Sequence, residues 1–271
     1  MNAPLPLDAR QRAMLAEMGV RVWQPASPKP PQAARAAMVV APEKVASPPG
    51  KALAASPPPP VAPAPAPAPA GPRPEDVAAM DWPALEAAVA DCRACGLCAG
   101  RTHTVFGVGS RQAEWMVVGE APGEQEDRQG QPFVGQAGKL LDRMLAAISL
   151  TRAEGATAAT QPAGVYIANV LKCRPPGNRN PQPDEIAQCE PYLRRQVALL
   201  RPKIILALGR FAVQALLQTT DPIGRLRGRV HHYEGVPVIV SYHPAYLLRA
   251  LPEKAKAWQD LCLALATREG G

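Results

Sequence analysis

The stretch EWMVVGEAPGEQED, residues 114–127, joins a continuous apolar run to a glycine-containing acidic loop. Continuous apolar runs of this length are typical of strands that are covered on both faces, as in a parallel sheet. Three further runs of the same kind follow along the chain: VYIANVLKC (165–173), KIILALG (203–209) and VPVIVSYH (236–243). The sequence therefore predicts four main strands, the first of which ends in the acidic loop.

Helical patterns flank and separate these strands: WPALEAAVADCRAC (82–95), GKLLDRMLAAISL (138–150), DEIAQCEPYLRRQVALL (184–200), RFAVQALLQ (210–218) and EKAKAWQDLCLALA (253–266). Alternating strands and helices predict an α/β fold, a three-layer α/β/α sandwich with a mainly parallel four-stranded central sheet. Such sheets bind ligands at the carboxyl ends of their strands. Unusual polar residues follow the first, second and fourth runs, which indicates one active cleft at that edge.

Three zones of the chain differ in composition. Residues 1–26 contain a short amphipathic pattern, with a helix predicted over Arg10 to Met18 and Trp23 as an anchor. We interpret residues 10–25 either as a strap on the main domain or as a docking segment for a protein partner. Residues 27–74 are rich in proline and alanine and predict a disordered linker. Residues 75–271 hold the folded domain.

The overall composition limits the classes of function. The 271 residues carry a formal net charge of +7, which favours a polyanionic partner such as nucleic acid. The chain has neither a signal-peptide pattern nor an apolar run of about 18 residues, so we expect no membrane segment. We predict a cytoplasmic protein, in a compartment where thiols stay reduced.

The six cysteines suggest a metal centre. CRACGLC, residues 92–98, contains three of them, and Cys173 and Cys189 are separated by fifteen residues. Close thiols of this kind form a disulfide clamp, a metal site or part of a core, and a reducing compartment disfavours the disulfide. CRAC and the later pair supply four thiolates, which suits either zinc or a 4Fe-4S cluster. Spacing alone leaves the choice between these metals open, and Cys262 is expected to be a buried structural thiol.

Residues 83–262 resemble the iron–sulfur (family 4) uracil-DNA glycosylases. The resemblance rests on the order and spacing of CRAC, GRTHTVFG, VVGEAPGEQEDRQGQPFVGQAGKLLD, YIANVLKCRPPGNRNPQPDE, LALGRFA and SYHPAYLLR. It implies a base-excision repair enzyme that hydrolyses the N-glycosidic bond of deoxyuridine in DNA. It also implies a structural 4Fe-4S cluster held by Cys92, Cys95, Cys173 and Cys189, with Cys98 outside the ligand set.

The resemblance also implies roles for residues in the cleft. Phe133 matches the aromatic that stacks on the flipped uracil, Asn169 the amide that reads the edge of the base, and His243 the donor placed against uracil O2. Ala121 lies where better-known relatives carry the aspartate that activates water. We therefore expect Glu120, and secondarily Glu126, to orient the water. Gly123 lies where those relatives carry a tyrosine that excludes the methyl group of thymine from the pocket. Rejection of thymine must therefore come from another part of the pocket.

DNA contacts are predicted for residues that follow His243 and for nearby arginines. The first group, expected on an exposed loop, is Tyr246, Leu247, Leu248 and Arg249. The candidates for phosphate contact are Arg174, Arg179, Arg225, Arg227 and Arg229. We expect a monomer that acts on single- or double-stranded DNA in association with the nucleoid.

Two other classes of protein share some of these features. A non-catalytic or broader-specificity protein that binds deaminated bases in DNA would keep the basic residues, although it would not need Asn169 and His243. A radical or redox enzyme would need an open iron position, and four thiolates leave none.

Overall fold

The computed structural model describes Glu17 and residues 76–270 except Glu154. Apart from Glu17, an exposed residue in a helical conformation, the predicted docking segment and linker lie outside the described residues. In the described part, no helix is both long and apolar enough to cross a membrane.

The described part contains a seven-stranded sheet. Its strands are β1 (Val108–Gly109), β2 (Trp115–Gly119), β3 (Leu150–Thr151), β4 (Ala163–Asn169), β5 (Ile204–Leu208), β6 (Val230–Tyr233) and β7 (Val236–Ser241). The order across the sheet is β1-β4-β2-β5-β7-β6, and β3 pairs with β4. Strands β4, β2, β5 and β7 are parallel, whereas β1 and β6 run antiparallel to their neighbours.

The four parallel strands are the four predicted from the apolar runs, so that prediction is confirmed for the centre of the sheet. The sheet is wider than predicted because β1, β3 and β6 extend it. These strands have two to four residues and are only partly buried, so they lack the continuous apolar runs that identify the central strands.

The helices of the described domain are α1 (Trp82–Ala90), α2 (Glu124–Gln129), α3 (Gln136–Ala147), α4 (Pro183–Leu200), α5 (Arg210–Leu217), α6 (Ile223–Leu226), α7 (Pro244–Leu247) and α8 (Lys254–Glu269). Short 3-10 turns occupy Val77–Ala79, Gly96–Ala99, Pro176–Asn178 and Leu251–Glu253. The five predicted helical patterns correspond to α1, α3, α4, α5 and α8.

Two apolar layers confirm the three-layer sandwich. In β2, Trp115 and Val117 face a core formed with α3 and α8. Met116 and Val118, which alternate with them, face a second core formed with α4 and α5. Because successive side chains of a strand point to opposite faces, one buried strand supplies both cores.

The register of the parallel strands assembles the carboxyl edge. Gly119 at the end of β2 pairs with Asn169 at the end of β4, and Leu208 of β5 pairs with Ser241 of β7. The pairing continues beyond the strands, since Leu171 N–H donates to the Glu120 carbonyl at 3.1 Å. The four loops that carry the predicted site therefore leave the sheet side by side.

Candidate active site and cysteine pocket

A cleft of about 770 Å³ opens at the carboxyl edge of the sheet. It is lined by the predicted residues Glu120, Ala121, Glu126, Phe133, Asn169, His243, Tyr246 and Arg249. A cleft of this size at the strand ends of an α/β sheet is the usual place for a small-ligand site. The structure therefore brings most of the predicted cleft residues together.

Phe133 and Asn169 approach each other over Gly119. A Cβ at Gly119 would lie 2.4 Å from Asn169 Oδ1 and 2.6 Å from Phe133 Cζ, so no larger residue fits there. Phe133 itself has a left-handed backbone, with φ of 55°, and its ring stacks on the His243 ring with the centroids 5.4 Å apart. The aromatic face, the amide and the imidazole thus form one wall of the cleft.

Asn169 carries an unsatisfied acceptor. Its side chain is 2% exposed, and Oδ1 has no hydrogen-bond partner among the described residues. Leaving a buried polar atom unpaired costs about 1–3 kcal/mol. Such an atom at the wall of a cleft is therefore a position where a ligand N–H would bind.

His243 is held as a neutral hydrogen-bond donor. Its Nδ1 accepts the Ala245 N–H at 3.2 Å at the start of α7, which leaves the ring proton on Nε2. Burial and, secondarily, the nearby Arg249 cation lower the pKa of His243 to about 4. At neutral pH the ring therefore offers an N–H without carrying a charge.

The two candidate acids differ in what they contact. Glu126 is committed to the backbone, because Oε2 accepts Gly123 N–H at 3.1 Å and Oε1 accepts Val134 N–H at 3.3 Å. It thereby joins the loop after β2 to the loop that carries Phe133. Burial raises the pKa of Glu120 to about 7, although the Arg210 cation opposes the shift. Glu120 is therefore poised to exchange a proton near neutral pH.

The surface around His243 corrects two predictions. Tyr246 and Leu248 are 40% and 42% exposed, but Leu247 is completely buried in the core beside α3 and α8. It therefore packs the domain instead of projecting as a wedge. Arg227 forms an ion pair with the buried Asp260, with N–O distances of 2.7 and 2.8 Å, so it anchors α8 and is not a free phosphate contact.

The other predicted arginines lie at or near the surface. Arg249, Arg225 and Arg229 are exposed. Arg174 donates to Asn178 Oδ1 at 2.8 Å beside the cleft, and Arg179 forms an ion pair with Glu185.

The predicted cysteine ligands line a second pocket. Cys92, Cys95, Cys173 and Cys189 meet there, and Cys98 lies beside them. All six cysteines lie in the described part of the chain and are free thiols, so the structure contains no disulfide clamp. Among the described residues, no three His, Cys, Asp or Glu side chains form a group that could hold a metal ion. The four thiols thus share a pocket without converging on a single-ion site.

Hydrogen-bond donors surround the thiols. Arg101 donates to Cys173 Sγ at 3.1 Å and to the Cys92 carbonyl at 2.8 Å, and Lys172 N–H donates to Cys189 Sγ at 3.3 Å. Burial raises the pKa of Cys173 to about 11 and that of Cys189 to about 12. Sequence reasoning missed Arg101 and Lys172, although Arg101 follows CRACGLC by three residues and Lys172 directly precedes Cys173.

Fold and cleft together define an α/β enzyme with its site at the carboxyl ends of the parallel strands. Residues 106–262 match the family model described as the Uracil DNA glycosylase superfamily, and the chain belongs to that superfamily. The match begins just before β1, ends within α8 and includes every residue that lines the cleft, which confirms the resemblance found in the sequence.

Comparison with individual relatives shows which members of the superfamily the chain is similar to. The chain is 47% identical over 168 residues to a Type-4 uracil-DNA glycosylase of Archaeoglobus fulgidus, covering 59% of this chain and 79% of the relative. A Type-4 uracil-DNA glycosylase of Pyrobaculum aerophilum is 36% identical over 194 residues, which cover 68% of this chain and 93% of that protein. A Type-5 uracil-DNA glycosylase of the same organism is 33% identical over 150 residues, 51% of this chain and 64% of that protein.

Proposed function

We propose that this protein is a type-4 uracil-DNA glycosylase, which hydrolyses the bond between deoxyribose C1′ and uracil N1 and leaves an abasic site in DNA. The proposal rests on the superfamily match and on one structural observation. Asn169 presents an unpaired, buried acceptor at a cleft that also holds an aromatic ring and a neutral histidine.

Base recognition follows from the chemistry of the Asn169 amide. Its Oδ1 can accept the N3–H of uracil, and its NH2 group can donate to O4. Cytosine has no N3–H and carries an amino group at position 4, so both contacts would become mismatched. A site that leaves its polar groups unpaired rejects the wrong ligand strongly. Phe133 supplies an aromatic face beside the amide on which a flipped base can stack.

His243 supports departure of the base. As the C1′–N1 bond breaks, its electron pair moves to uracil and negative charge develops on O2. The neutral imidazole donates its Nε2–H to this oxygen, since Nδ1 is already occupied by the Ala245 N–H. Because the pKa of His243 is lowered to about 4, the ring is neutral at pH 7 and the contact to O2 is a hydrogen bond from an uncharged donor.

We assign to Glu120 the activation of the water that attacks the sugar. Its near-neutral pKa allows the carboxylate to take a proton from a water molecule whose oxygen attacks the oxocarbenium-like C1′. Glu120 releases this proton to solvent and the uracil anion takes up one proton from solvent, so that one water is consumed and the carboxylate is regenerated. Glu126 shapes the two loops instead, because both of its oxygens already accept backbone N–H groups.

DNA engagement is assigned to the exposed residues at the mouth of the cleft. Tyr246 and Leu248 project beside His243 and can fill the gap that a flipped nucleotide leaves in the base stack. Arg249 and Arg174 lie close by and supply positive charge for phosphates.

The cysteine pocket fits a 4Fe-4S cluster held by Cys92, Cys95, Cys173 and Cys189. The four thiols line one pocket, and four thiolates can supply one ligand to each iron of such a cluster. When bound, the cluster supplies structural cross-linking rather than redox chemistry. Arg101 and the Lys172 N–H would donate to sulfur and partly offset its negative charge.

The remaining assignments rest on the sequence. We propose that the protein acts as a monomer in the cytoplasm, at the nucleoid. Residues 10–25 are either a strap on the main domain or a docking segment for a protein partner, and a deletion that abolishes co-purification of a partner but not uracil excision would support the second role.

Excision of uracil from a defined oligonucleotide tests the proposed activity. Purified, iron-containing protein should convert both a single-stranded and a double-stranded uracil substrate into an alkali-labile product. Matched substrates with thymine or cytosine at the same position serve as controls. Intact uracil strands after treatment with folded, iron-loaded protein would exclude the proposed function.

A further inference from the structure

Lys172 lines the cysteine pocket and also contacts Asn169, a residue of the cleft wall. Its side chain is only 1% exposed. Its Nζ donates to the Asn169 carbonyl oxygen at 2.8 Å and to Gln196 Oε1 at 2.7 Å. The backbone N–H of the same residue donates to Cys189 Sγ at 3.3 Å. One residue thus hydrogen-bonds the backbone of the base-reading asparagine and a predicted cluster ligand.

Gln196 fixes the position of the Lys172 ammonium. Gln196 is fully buried on α4, and its Nε2 donates to the Phe106 carbonyl at 2.9 Å and to the Tyr166 hydroxyl at 3.1 Å. Since Tyr166 belongs to β4 and Phe106 precedes β1, the amide is tied to the sheet on two sides. Its oxygen therefore remains directed at Lys172.

The backbone of Lys172 is fixed as well. Val105 N–H donates to its carbonyl at 2.8 Å, while its own N–H faces Cys189 on α4. A buried cation is tolerated only when polar partners replace its hydration. These partners make Lys172 part of a rigid frame around the loop 169–173.

The Asn169 carbonyl is the point where this frame meets the cleft. Asn169 is the last residue of β4, and Val170 N–H donates to the Gly119 carbonyl at 3.0 Å. With its own carbonyl held by Lys172, the peptide that follows Asn169 cannot rotate freely. This restraint fixes the backbone from which the Asn169 side chain extends at the cleft wall.

We propose that Lys172 is a positioning residue that acts through Asn169 and ties base recognition to the cysteine pocket. The inference rests on the proposed function, because it needs Asn169 to bind the excised base. Small displacements of a group that orients a substrate slow catalysis strongly, by up to about a hundredfold for about 1 Å.

A double-mutant cycle tests whether Lys172 acts through Asn169. Single-turnover uracil excision would be measured for wild type, Lys172→Met, Asn169→Ala and the double variant, together with iron per protein and melting temperature. Lys172→Met should slow excision by about tenfold or more in the wild-type background but less than about twofold in the Asn169→Ala background. Lys203→Met, which removes a surface lysine paired with Glu114, is the matched control and should retain the wild-type rate.

Two outcomes would overturn the inference. Equal fold losses in both backgrounds would show that Lys172 acts independently of Asn169. An unchanged rate in Lys172→Met would show that the carbonyl contact is dispensable. If Lys172→Met does not fold, Lys172→Arg is used instead, because it keeps a buried cation but displaces the donor. Its effect on the excision rate is then compared in the wild-type and Asn169→Ala backgrounds. Wild-type protein without excision activity would instead refute the proposed function, so the two failures are distinguishable.

Discussion

The loop 169–173 contributes residues to both the cleft and the cysteine pocket, yet key ligand-binding atoms of the two sites differ in their hydrogen bonding. In the cleft, the Asn169 Oδ1 acceptor is buried without a partner, and Glu120 makes no side-chain hydrogen bond to another described residue. In the pocket, Arg101 donates to Cys173 Sγ and the Lys172 N–H donates to Cys189 Sγ. The cleft therefore has polar groups left to bind a substrate, whereas the pocket has its hydrogen bonds to sulfur in place, as expected for a site that holds a structural group permanently.

Asn169→Ala should give the largest loss of activity. Removing the group that recognises the flipped base should lower kcat/KM for uracil excision by about 10²–10³-fold. Iron content and melting temperature should stay at their wild-type values, because no described residue depends on the side-chain oxygen. A variant that excises uracil at the wild-type rate would end the assignment of Asn169 to base recognition.

His243→Ala should cost nearly as much, about 10²-fold, because it removes the donor to uracil O2. His243→Gln retains an N–H donor and should recover part of the loss. Comparison of the two variants on one uracil oligonucleotide separates hydrogen bonding from the packing of His243 against Phe133. Equal rates for both variants would contradict the role of the donor.

The pH dependence tests the assignment of Glu120. Since the carboxylate is the active form and its pKa is about 7, kcat/KM should fall about tenfold per pH unit below that value. The His243 pKa of about 4 adds no further limb above pH 5. Glu120→Gln should be slow and independent of pH across the same range. A wild-type acidic limb that persists in Glu120→Gln would assign the titration to another group.

Cysteine variants test which thiols hold the proposed cluster and whether the cluster stabilises the fold. Cys95→Ser should abolish iron binding and lower the melting temperature, because the loss of one ligand opens the cluster to solvent and oxidation. Cys98→Ser, which changes a thiol in the same pocket, is the matched control and should keep the iron and its visible absorbance. Equal loss of iron in both variants would place Cys98 among the ligands.

Substitution of the adjacent leucines Leu247 and Leu248 should have the smallest effect on excision, but the two variants should differ clearly in the free energy of unfolding. Leu247→Ala should reduce the free energy of unfolding by about 2–5 kcal/mol, because Leu247 is completely buried. Leu248→Ala should leave stability unchanged and weaken binding to double-stranded DNA. Chemical denaturation and a DNA-binding titration measure the two effects, and a destabilised Leu248→Ala variant would contradict the structural distinction.

The contrast between Leu247 and Leu248 also shows what sequence could predict. Continuous apolar runs identified β2, β4, β5 and β7, because complete burial of a strand leaves a local signal. Burial of one leucine in SYHPAYLLR depends on packing against α3, which is distant in sequence, as well as against the nearby α8. The same reason hid the Arg227–Asp260 ion pair, whose residues are 33 positions apart, and the Lys172–Gln196 hydrogen bond, whose residues are 24 positions apart.

The candidate site was predictable where residue type and position carried the chemistry. The predicted residues lie at or near strand ends, or in stretches that resemble the glycosylase family, and the structure brings them together in one cleft: Glu120, Phe133, Asn169 and His243. The division of labour between Glu120 and Glu126 was not predictable, because it depends on which carboxylate is occupied by backbone N–H groups.

Release of free uracil is the most direct measurement of the central claim. A mixture of equal amounts of uracil-, cytosine- and thymine-containing oligonucleotides would be treated with the wild-type protein, and free bases would be quantified by mass spectrometry. The proposed function predicts free uracil in one-to-one ratio with abasic sites, and neither cytosine nor thymine. Folded, iron-loaded protein that releases no uracil, or releases cytosine at a comparable rate, would contradict it.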